Sequence, residues 1–222
     1  ISDIHGNMEA LKAVLADIET QKADTIAICG DLALAGPEPV ETIDFIVELA
    51  KEKELTIIQG NTDEMLVKAT GKPDDPYTPP NEIMAEALKY DLSILRDDQK
   101  AFLESLPAQK LMQFGEVSVL LTHGSHRKNN ENIFPEMKVE EVKEMIKNTN
   151  ADIIFCGHTH IPAGYQVEKQ TVVNVGSVGR PFTEEPEACY AILEIPDLNK
   201  KEFSITHRFI DYDKETASKK LE

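Results

Sequence analysis

The chain has 222 residues, 41% of them apolar, which is enough to bury the core of one domain with a modest insertion. Its 40 acidic and 23 basic residues give a net charge of −17, which repels nucleic acid polymers and anionic membranes at long range. No stretch resembles a signal peptide or the ~20 apolar residues of a membrane span, so we expect a cytoplasmic protein. Three scattered cysteines, Cys29, Cys156 and Cys189, predict reduced core residues without disulfides.

The first motif closes a short apolar run with the residues Asp3-Ile4-His5-Gly6. In a strand, residues i and i+2 point to the same face, so Asp3 and His5 could reach one metal ion together. Gly6 would let the chain turn closely past this site. In a surface strand the same spacing is usually only two polar residues, so the metal hypothesis depends on the motifs that follow.

A strand and helix pattern comes next. Apolar positions at helical spacing predict a helix over residues 8–18, and continuous apolar runs predict buried strands over residues 25–29 and 55–59. The two strands end in Gly30-Asp31 and Gly60-Asn61, and a second amphipathic helix lies between them. Because open α/β sheets place their sites at the carboxyl ends of strands, these polar residues are candidates for a site.

The pattern is interrupted between residues 68 and 107, which we interpret as a small helical, cap-like insertion within a single domain of residues 1–222. Its entry is predicted as a loop because it contains four prolines, Pro73, Pro76, Pro79 and Pro80. A helix over residues 82–95 and a shorter one from about residue 97 follow. The insertion either fills out the fold or forms a lid that shapes substrate choice.

Two further buried strands, over residues 117–121 and 152–156, end in His123-Gly124 and Gly157-His158-Thr159-His160. After them, short alternating strands beyond Gly164 predict a second, largely antiparallel layer. Five strand ends therefore present seven candidate metal ligands, which are Asp3, His5, Asp31, Asn61, His123, His158 and His160.

In this order the five motifs resemble the signature of the calcineurin-like metallophosphoesterase superfamily, and Gly176-Ser177-Val178-Gly179-Arg180-Pro181 resembles a segment of its small bacterial and archaeal phosphodiesterase branch. The resemblance runs through nearly the whole chain. It implies an α/β fold, a four-layer α/β/β/α sandwich with the two-metal site at the strand ends.

The resemblance also implies a division of the ligands between two divalent ions. Asp3, His5, Asp31 and His160 would hold one ion, and Asp31, Asn61, His123 and His158 the other. Asp31, Asn61 and His123 are then the candidate catalytic residues, and a metal-bridging hydroxide would attack phosphorus in line. Imidazole and carboxylate ligands together suit Mn, Fe, Ni, Co and Zn, of which we favour Mn.

The implied function is a metal-dependent phosphohydrolase acting on a small phosphorylated substrate. A phosphodiesterase or a nucleotide pyrophosphohydrolase is expected, with dinucleoside polyphosphates as one candidate. Thr62 stands where many members carry a histidine linked to the leaving group, and Leu34 where protein phosphatases carry an aspartate. The alternative is a protein-binding scaffold, since a retromer subunit resembles the family with a degraded metal site, but here every ligand position is filled.

Four residues outside the predicted metal shells are candidates for substrate contacts: Asn7, His126, Arg127 and Arg180. Arg180 follows a strand in a glycine-rich turn and could bind phosphate oxygens with its planar guanidinium. The alternative for Arg180 is an ion pair with one of the nearby glutamates, Glu184, Glu185 or Glu187. The alternative for His126 is a solvated loop residue.

Overall fold

The computed structural model describes residues 1–70, 72 and 75–221, which form seven helices and nine strands. In chain order the elements are α1 (Met8–Gln21), β1 (Ile26–Ile28), α2 (Pro39–Glu52), β2 (Leu55–Ile57), α3 (Asn61–Lys68), α4 (Glu82–Ile94), α5 (Asp97–Ser105), β3 (Lys110–Phe114), β4 (Val117–Leu121), α6 (Val139–Met145), β5 (Ile153–Cys156), β6 (Ala163–Val167), β7 (Gln170–Asn174), β8 (Ala188–Glu194), β9 (Ser204–Ile210) and α7 (Lys214–Lys219). Within this described part, no helix has both the length and the apolar character needed to cross a membrane.

The described strands form three sheets. β1 and β2 pair in parallel, β8 and β9 pair antiparallel, and the remaining strands form a five-stranded sheet in the order β3-β4-β5-β7-β6. β4, β5 and β7 are mutually parallel at its centre, and β3 and β6 are antiparallel at its edges. The prediction that the strands after Gly164 form a separate layer was therefore wrong, because β6 and β7 belong to the sheet of β4 and β5. Pairing between distant strands does not follow from local periodicity.

The hydrophobic clusters into which alternating side chains point show that the sheets pack face to face as a sandwich. In β4, Val119 and Leu121 point into a central hydrophobic cluster, while Leu120 points into an outer cluster that includes Val142 of α6. On the opposite side, Ile28 of β1 belongs to a third cluster formed with α1 and α2. β8 also contributes residues to the central and third clusters, so it lies in the layer of β1 and β2. The result is the predicted four-layer α/β/β/α sandwich.

The insertion is part of this core. Leu88, Leu95 and Leu103 are almost fully buried in the same cluster as α1 and α2. The chain returns to the sheet at Pro107, whose carbonyl oxygen accepts a hydrogen bond from the backbone N–H of Gln59 at 2.8 Å. The helices of the insertion thus contribute to the burial of apolar surface. Of the four prolines of its entry, Pro76, Pro79 and Pro80 lie outside helices and strands, and Pro73 lies outside the described residues.

Three elements differ from the predictions, and the free cysteines agree with them. β3 was not predicted because it is an exposed edge strand that begins at Lys110, and α7 was not predicted at all. No helix was predicted directly after Gly60, but Asn61 is the first residue of α3. Its polar sequence is compatible with a helix because the carboxylate of Asp63 accepts a hydrogen bond from the N–H of Gly60 at 2.9 Å. All three cysteines are free and buried.

Candidate metal centre

The residues at the start of the chain do not form the predicted strand. Asp3 and His5 have left-handed backbone conformations, and the N–H groups of Ile4 and His5 both donate to the carbonyl oxygen of Asp31, at 2.8 and 3.0 Å. A tight turn of this kind excludes strand geometry. The prediction that Asp3 and His5 share one face of a strand was therefore wrong, although their side chains do meet.

Five of the seven predicted metal ligands have this left-handed backbone. They are Asp3, His5, Asp31, His158 and His160, with φ between 48° and 69°. Each such residue other than glycine costs of order 1–3 kcal/mol and persists only where the surrounding structure holds it. Strain of this kind is concentrated at functional sites, and here it coincides with five of the seven ligands that the motifs predict.

Two motif glycines allow the backbone to approach the carboxylates. A Cβ atom at Gly60 would lie 2.0 Å from Oδ1 of Asp31, and one at Gly157 would lie 2.2 Å from Oδ2 of Asp3. Both distances are far below van der Waals contact. The absence of a side chain at these positions is thus a condition for placing Asp3 and Asp31 in the site.

The first group of converging ligand atoms comes from Asp3, His5 and His160, whose ligand atoms all lie within 4.8 Å of one another. The Nε2 atoms of His5 and His160 are 3.1 Å apart, and Oδ1 of Asp3 is 3.3 Å from Nε2 of His160. Asp31 lies beside this group, with Oδ2 at 3.7 Å from Nε2 of His5. All four side chains are buried.

The second group comprises Asp3, Asp31 and His123. Oδ1 of Asp31 is 3.3 Å from Nε2 of His123, so the two oxygens of Asp31 face different histidines. Asn61 adjoins this group, with Oδ1 at 3.0 Å from Nε2 of His123. His158 is half-buried, with its ring centre 5.3 Å from that of His123. The structure therefore brings together all seven residues that the motifs indicated.

The hydrogen bonds of three histidines fix which nitrogen faces the centre. Nδ1 of His5 bonds to the carbonyl oxygen of Leu34 at 2.8 Å, that of His123 to Cys29 at 2.6 Å, and that of His160 to Arg180 at 2.7 Å. A carbonyl oxygen can only accept, so each Nδ1 carries the hydrogen. In its neutral form, each ring then directs the lone pair of Nε2 into the cluster, which is the arrangement typical of histidines that bind metals.

This donor set fits a divalent cation. The Nε2 lone pairs of His5 and His160 face each other at 3.1 Å, and the buried Oδ1 of Asp3 has no hydrogen-bond partner among the described residues. Buried acceptors without a donor are costly, and a shared cation would satisfy all of them. Burial also lowers the pKa of His5 to about 4, although Asp31 opposes this, which keeps the ring neutral as metal binding requires.

The charge of Asp31 couples the two groups of ligand atoms electrostatically. Although burial opposes the shift, the neighbouring His123 holds the pKa of the Asp31 carboxyl well below its usual range. Burial alone would lower the pKa of His123. The charge of Asp31 outweighs this effect, and the pKa is raised to about 10. An ion that binds Nε2 of His123 must therefore displace a proton.

One supporting residue was missed by the motif analysis. Asp63 is fully buried, and its carboxylate accepts hydrogen bonds from the backbone N–H groups of Asp31 at 2.8 Å, Leu32 at 2.9 Å and Gly60 at 2.9 Å. It ties together the two loops that carry Asp31 and Asn61. The only signal in the sequence is its place two residues after Asn61, in the first turn of a helix that was not predicted.

A second missed residue comes from the insertion. Asp91 of α4 is 2% exposed and faces the backbone N–H groups of Leu34 and Ala35, both of which have left-handed conformations. Burial raises the pKa of Asp91 to about 7, and these N–H groups oppose the shift. The carbonyl oxygen of Leu34 orients the ring of His5, so Asp91 supports this predicted ligand indirectly, through Leu34.

Of the four predicted substrate contacts, Arg127 forms an ion pair with Glu131. The other three have different surroundings. Oδ1 of Asn7 accepts from the N–H of Ala10 at 3.1 Å and caps α1, and its Nδ2 donates to the carbonyl oxygen of Gly179 at 3.0 Å. Nε2 of His126 donates to the carbonyl oxygen of Lys147 at 2.7 Å. Both side chains are thus engaged within the fold, and their role in substrate binding stays a prediction.

Arg180 lies next to the centre. Within the described residues it makes no ion pair with Glu184, Glu185 or Glu187, which was the alternative. Burial lowers the pKa of Arg180, and the charges of Asp31 and Asp3 oppose the shift, which places the guanidinium within their electrostatic reach.

Comparison with known proteins agrees with this geometry. The profile of the calcineurin-like phosphoesterase superfamily domain matches residues 1–198. The uncharacterized protein MJ0912 of Methanocaldococcus jannaschii is 30% identical over 238 residues, covering 100% of this chain and 90% of that protein. The crystal structure of hypothetical protein PH1004 from Pyrococcus horikoshii OT3 has a TM-score of 0.87 at 22% identity, covering 100% of this chain and 90% of that one.

A metallophosphoesterase from Sphaerobacter thermophilus is also similar, with a TM-score of 0.78 and 25% identity over 100% of this chain and 91% of that one. The family profile extends over all five motifs and all seven converging residues. The chain belongs to the calcineurin-like phosphoesterase superfamily.

Proposed function

We propose that the protein is a phosphodiesterase or nucleotide pyrophosphohydrolase with a two-ion centre. The observation that carries this proposal is the position of Asp31, whose Oδ2 lies 3.7 Å from Nε2 of His5 and whose Oδ1 lies 3.3 Å from Nε2 of His123. A carboxylate with one oxygen on each side can belong to two metal shells at once. Both shells already contain neutral imidazoles, which add no negative charge.

Four residues would hold each ion, and Asp31 is shared. The first set is Asp3, His5, Asp31 and His160, and the second is Asp31, Asn61, His123 and His158. When bound, divalent ions supply Lewis-acid polarisation of phosphoryl oxygens and a water of lowered pKa. Mn is the ion that we favour, among several that suit this set of ligands.

The residues of the chain itself position the substrate and restrict its class. Asp63 and the backbone carbonyl oxygens hold the ligands rigidly, and Arg180 supplies a cation beside them. The Thr62 hydroxyl donates to the carbonyl oxygen of Ala33 at 3.0 Å, so position 62 offers no proton to a leaving group. A substrate whose leaving group carries its own charge, such as a phosphoanhydride or an activated diester, is therefore favoured over an alkyl monoester.

Removal and return of the metal test this proposal. The chelator-stripped protein should lose at least 99% of its turnover of bis(p-nitrophenyl) phosphate, and addition of Mn²⁺ should restore it, because the ions carry the electrostatic stabilisation. Elemental analysis should find about two ions per chain in the active form. Unchanged turnover after stripping would contradict the proposal.

The scaffold alternative predicts a different result in the same experiment. Protein that binds its full complement of metal but hydrolyses no member of a panel of diesters and nucleotide anhydrides would favour a binding role. We regard catalysis as better supported because every predicted ligand position is filled and the ligand atoms converge.

A further inference from the structure

An exposed aromatic ring lies directly beside the candidate metal centre. Phe182 is 59% exposed, and its ring centre is 4.7 Å from the ring of His160, with 31° between the planes. Single exposed hydrophobic residues are common on protein surfaces and need no explanation. Phe182 differs because it contacts a predicted metal ligand while more than half of its side chain stays open to solvent.

The guanidinium of Arg180 lies beside the ring and also contacts the helical insertion. The guanidinium carbon of Arg180 lies 5.9 Å from the ring centre of Phe182, within the range of a cation–π interaction. Nη1 of Arg180 is also 3.8 Å from Sδ of Met84, in the first turn of α4. Phe182, Arg180 and Met84 thus form one wall, which we call the aromatic wall, beside His160.

The chemistry of this wall is complementary to an aromatic phosphate ester. The metal centre and Arg180 attract a phosphate, and the exposed ring of Phe182 offers a surface on which an aromatic group can stack or pack edge to face. In a nucleotide or aryl ester the phosphate and the aromatic group are joined within one small molecule. An alkyl ester has nothing that could use the ring.

We propose that Phe182 binds the aromatic part of the substrate, a nucleobase or an aryl group, while the metal centre holds its phosphate. This inference rests on the proposed function and narrows it to aromatic phosphate esters and anhydrides. It assigns Phe182 a role in specificity and in KM, whereas the chemistry stays with the metal ligands.

The test compares two ligands that differ only in the base. Isothermal titration calorimetry of the Mn²⁺-loaded protein should show that adenosine 5′-monophosphate binds about tenfold more tightly than ribose 5-phosphate, the size of effect expected for one stacked base. Phe182→Ala should abolish this difference and leave the affinity for ribose 5-phosphate within about twofold. Phe182→Tyr should keep the preference, because its ring has the same aromatic faces.

Phe209→Ala is the matched control, since Phe209 is 48% exposed and belongs to β9, which carries none of the predicted ligands. It should keep the parent preference, and elemental analysis should find the same metal content in all variants. Equal affinity of the parent for the two ligands, or an unchanged preference in Phe182→Ala, would overturn the role of Phe182 alone. Failure of both ligands to bind would overturn the proposed function and this inference with it.

Discussion

The loops that carry the predicted ligands and the helical insertion are built in opposite ways. The ligand loops contain five left-handed residues and buried polar side chains, and hydrogen bonds from neighbouring loops maintain their shape. The described part of the insertion contains two regular helices, with Asn81 capping α4 and three leucines in the core. One region thus holds strained backbone, and the other contributes apolar burial.

The two regions are nevertheless connected. Asp91 projects from the insertion to the backbone of Leu34 and Ala35, and Leu34 in turn orients His5. A strained site needs support from parts of the chain that hold no ligand. Most substitutions should therefore affect mainly turnover or mainly stability. A substitution of Asp91 should affect both.

The largest effect is expected for Asp31→Asn. Loss of the shared negative charge should weaken binding of at least one ion and lower kcat by about 10²-fold or more, since electrostatic stabilisation by the ions is the proposed source of the rate. Turnover and metal content should be measured together. Asp24→Asn, the loss of an exposed carboxylate, is the control and should change neither.

Retention of full turnover by Asp31→Asn after verified loss of one ion would refute the shared-ligand assignment. Stability of the metal-free protein is a separate readout. Because, despite burial, the neighbouring His123 holds the pKa of the Asp31 carboxyl low, Asp31→Asn loses this attraction, and the free energy of unfolding of the metal-free variant should be lower than that of the parent.

Leu103→Ala tests the opposite region. Leu103 is fully buried, so the truncation should reduce the free energy of unfolding by about 2–5 kcal/mol, through lost burial and a residual cavity. Because Leu103 is not a predicted ligand, kcat per folded molecule should change by much less than in Asp31→Asn. Urea unfolding and turnover at low temperature give the two readouts.

If Leu103→Ala does not fold, a milder variant can take its place in this test. Leu103→Val removes one methylene and should cost about 1 kcal/mol, by the same mechanism. A large loss of kcat in a fully folded Leu103→Val would mean that the insertion controls the chemistry and that the two regions cannot be separated.

The raised pKa of Asp91 predicts that the free energy of unfolding depends on pH. Its pKa is raised from 3.8 to about 7 in the folded protein, so the folded state holds this proton more tightly than the unfolded state. The stabilisation is complete below pH 3.8 and is lost as the pH rises through about 7. Between pH 5 and 8 the parent should therefore lose about 1–3 kcal/mol that Asp91→Asn, which cannot titrate, does not lose.

The measurement is urea unfolding of the metal-free parent and variant across this range. Other titrating groups are common to both proteins, so the difference between the two curves reports Asp91. Asp24→Asn should give a curve parallel to that of the parent. Parallel curves for the parent and Asp91→Asn would show that the Asp91 carboxylate is not held in the protonated form.

The sequence predicted best what is encoded locally or in ordered motifs. Helical periodicity was sufficient for α1, α2 and α4, and the polar residues after the apolar runs indicated every side chain that converges at the centre. The backbone conformation of Asp3 and His5 could not be predicted in this way, because the turn depends on hydrogen bonds to the carbonyl oxygen of Asp31, which is distant in the chain.

The rest of the site could not be predicted for the same physical reason. Asp63 and Asp91 belong to no motif, and their roles depend on backbone N–H groups of other segments. The division of the strands into separate sheets depends on pairing between distant residues, such as β5 with β7. Exposed edge strands such as β3 lack the apolar run that marks buried ones.

The smallest effect is expected for His126→Ala. The sequence made His126 a candidate for substrate binding, but in the structure its Nε2 donates to the carbonyl oxygen of Lys147 at 2.7 Å. Loss of this hydrogen bond should lower the free energy of unfolding by about 0.5–1.5 kcal/mol. It should leave kcat/KM for bis(p-nitrophenyl) phosphate within about twofold of the parent, as for substitutions away from a site. His126→Gln, whose amide can donate to the same carbonyl oxygen, should recover part of the stability. If kcat/KM instead falls tenfold or more in both variants while stability is unchanged, His126 acts on the substrate, and the bond to Lys147 must open when substrate binds.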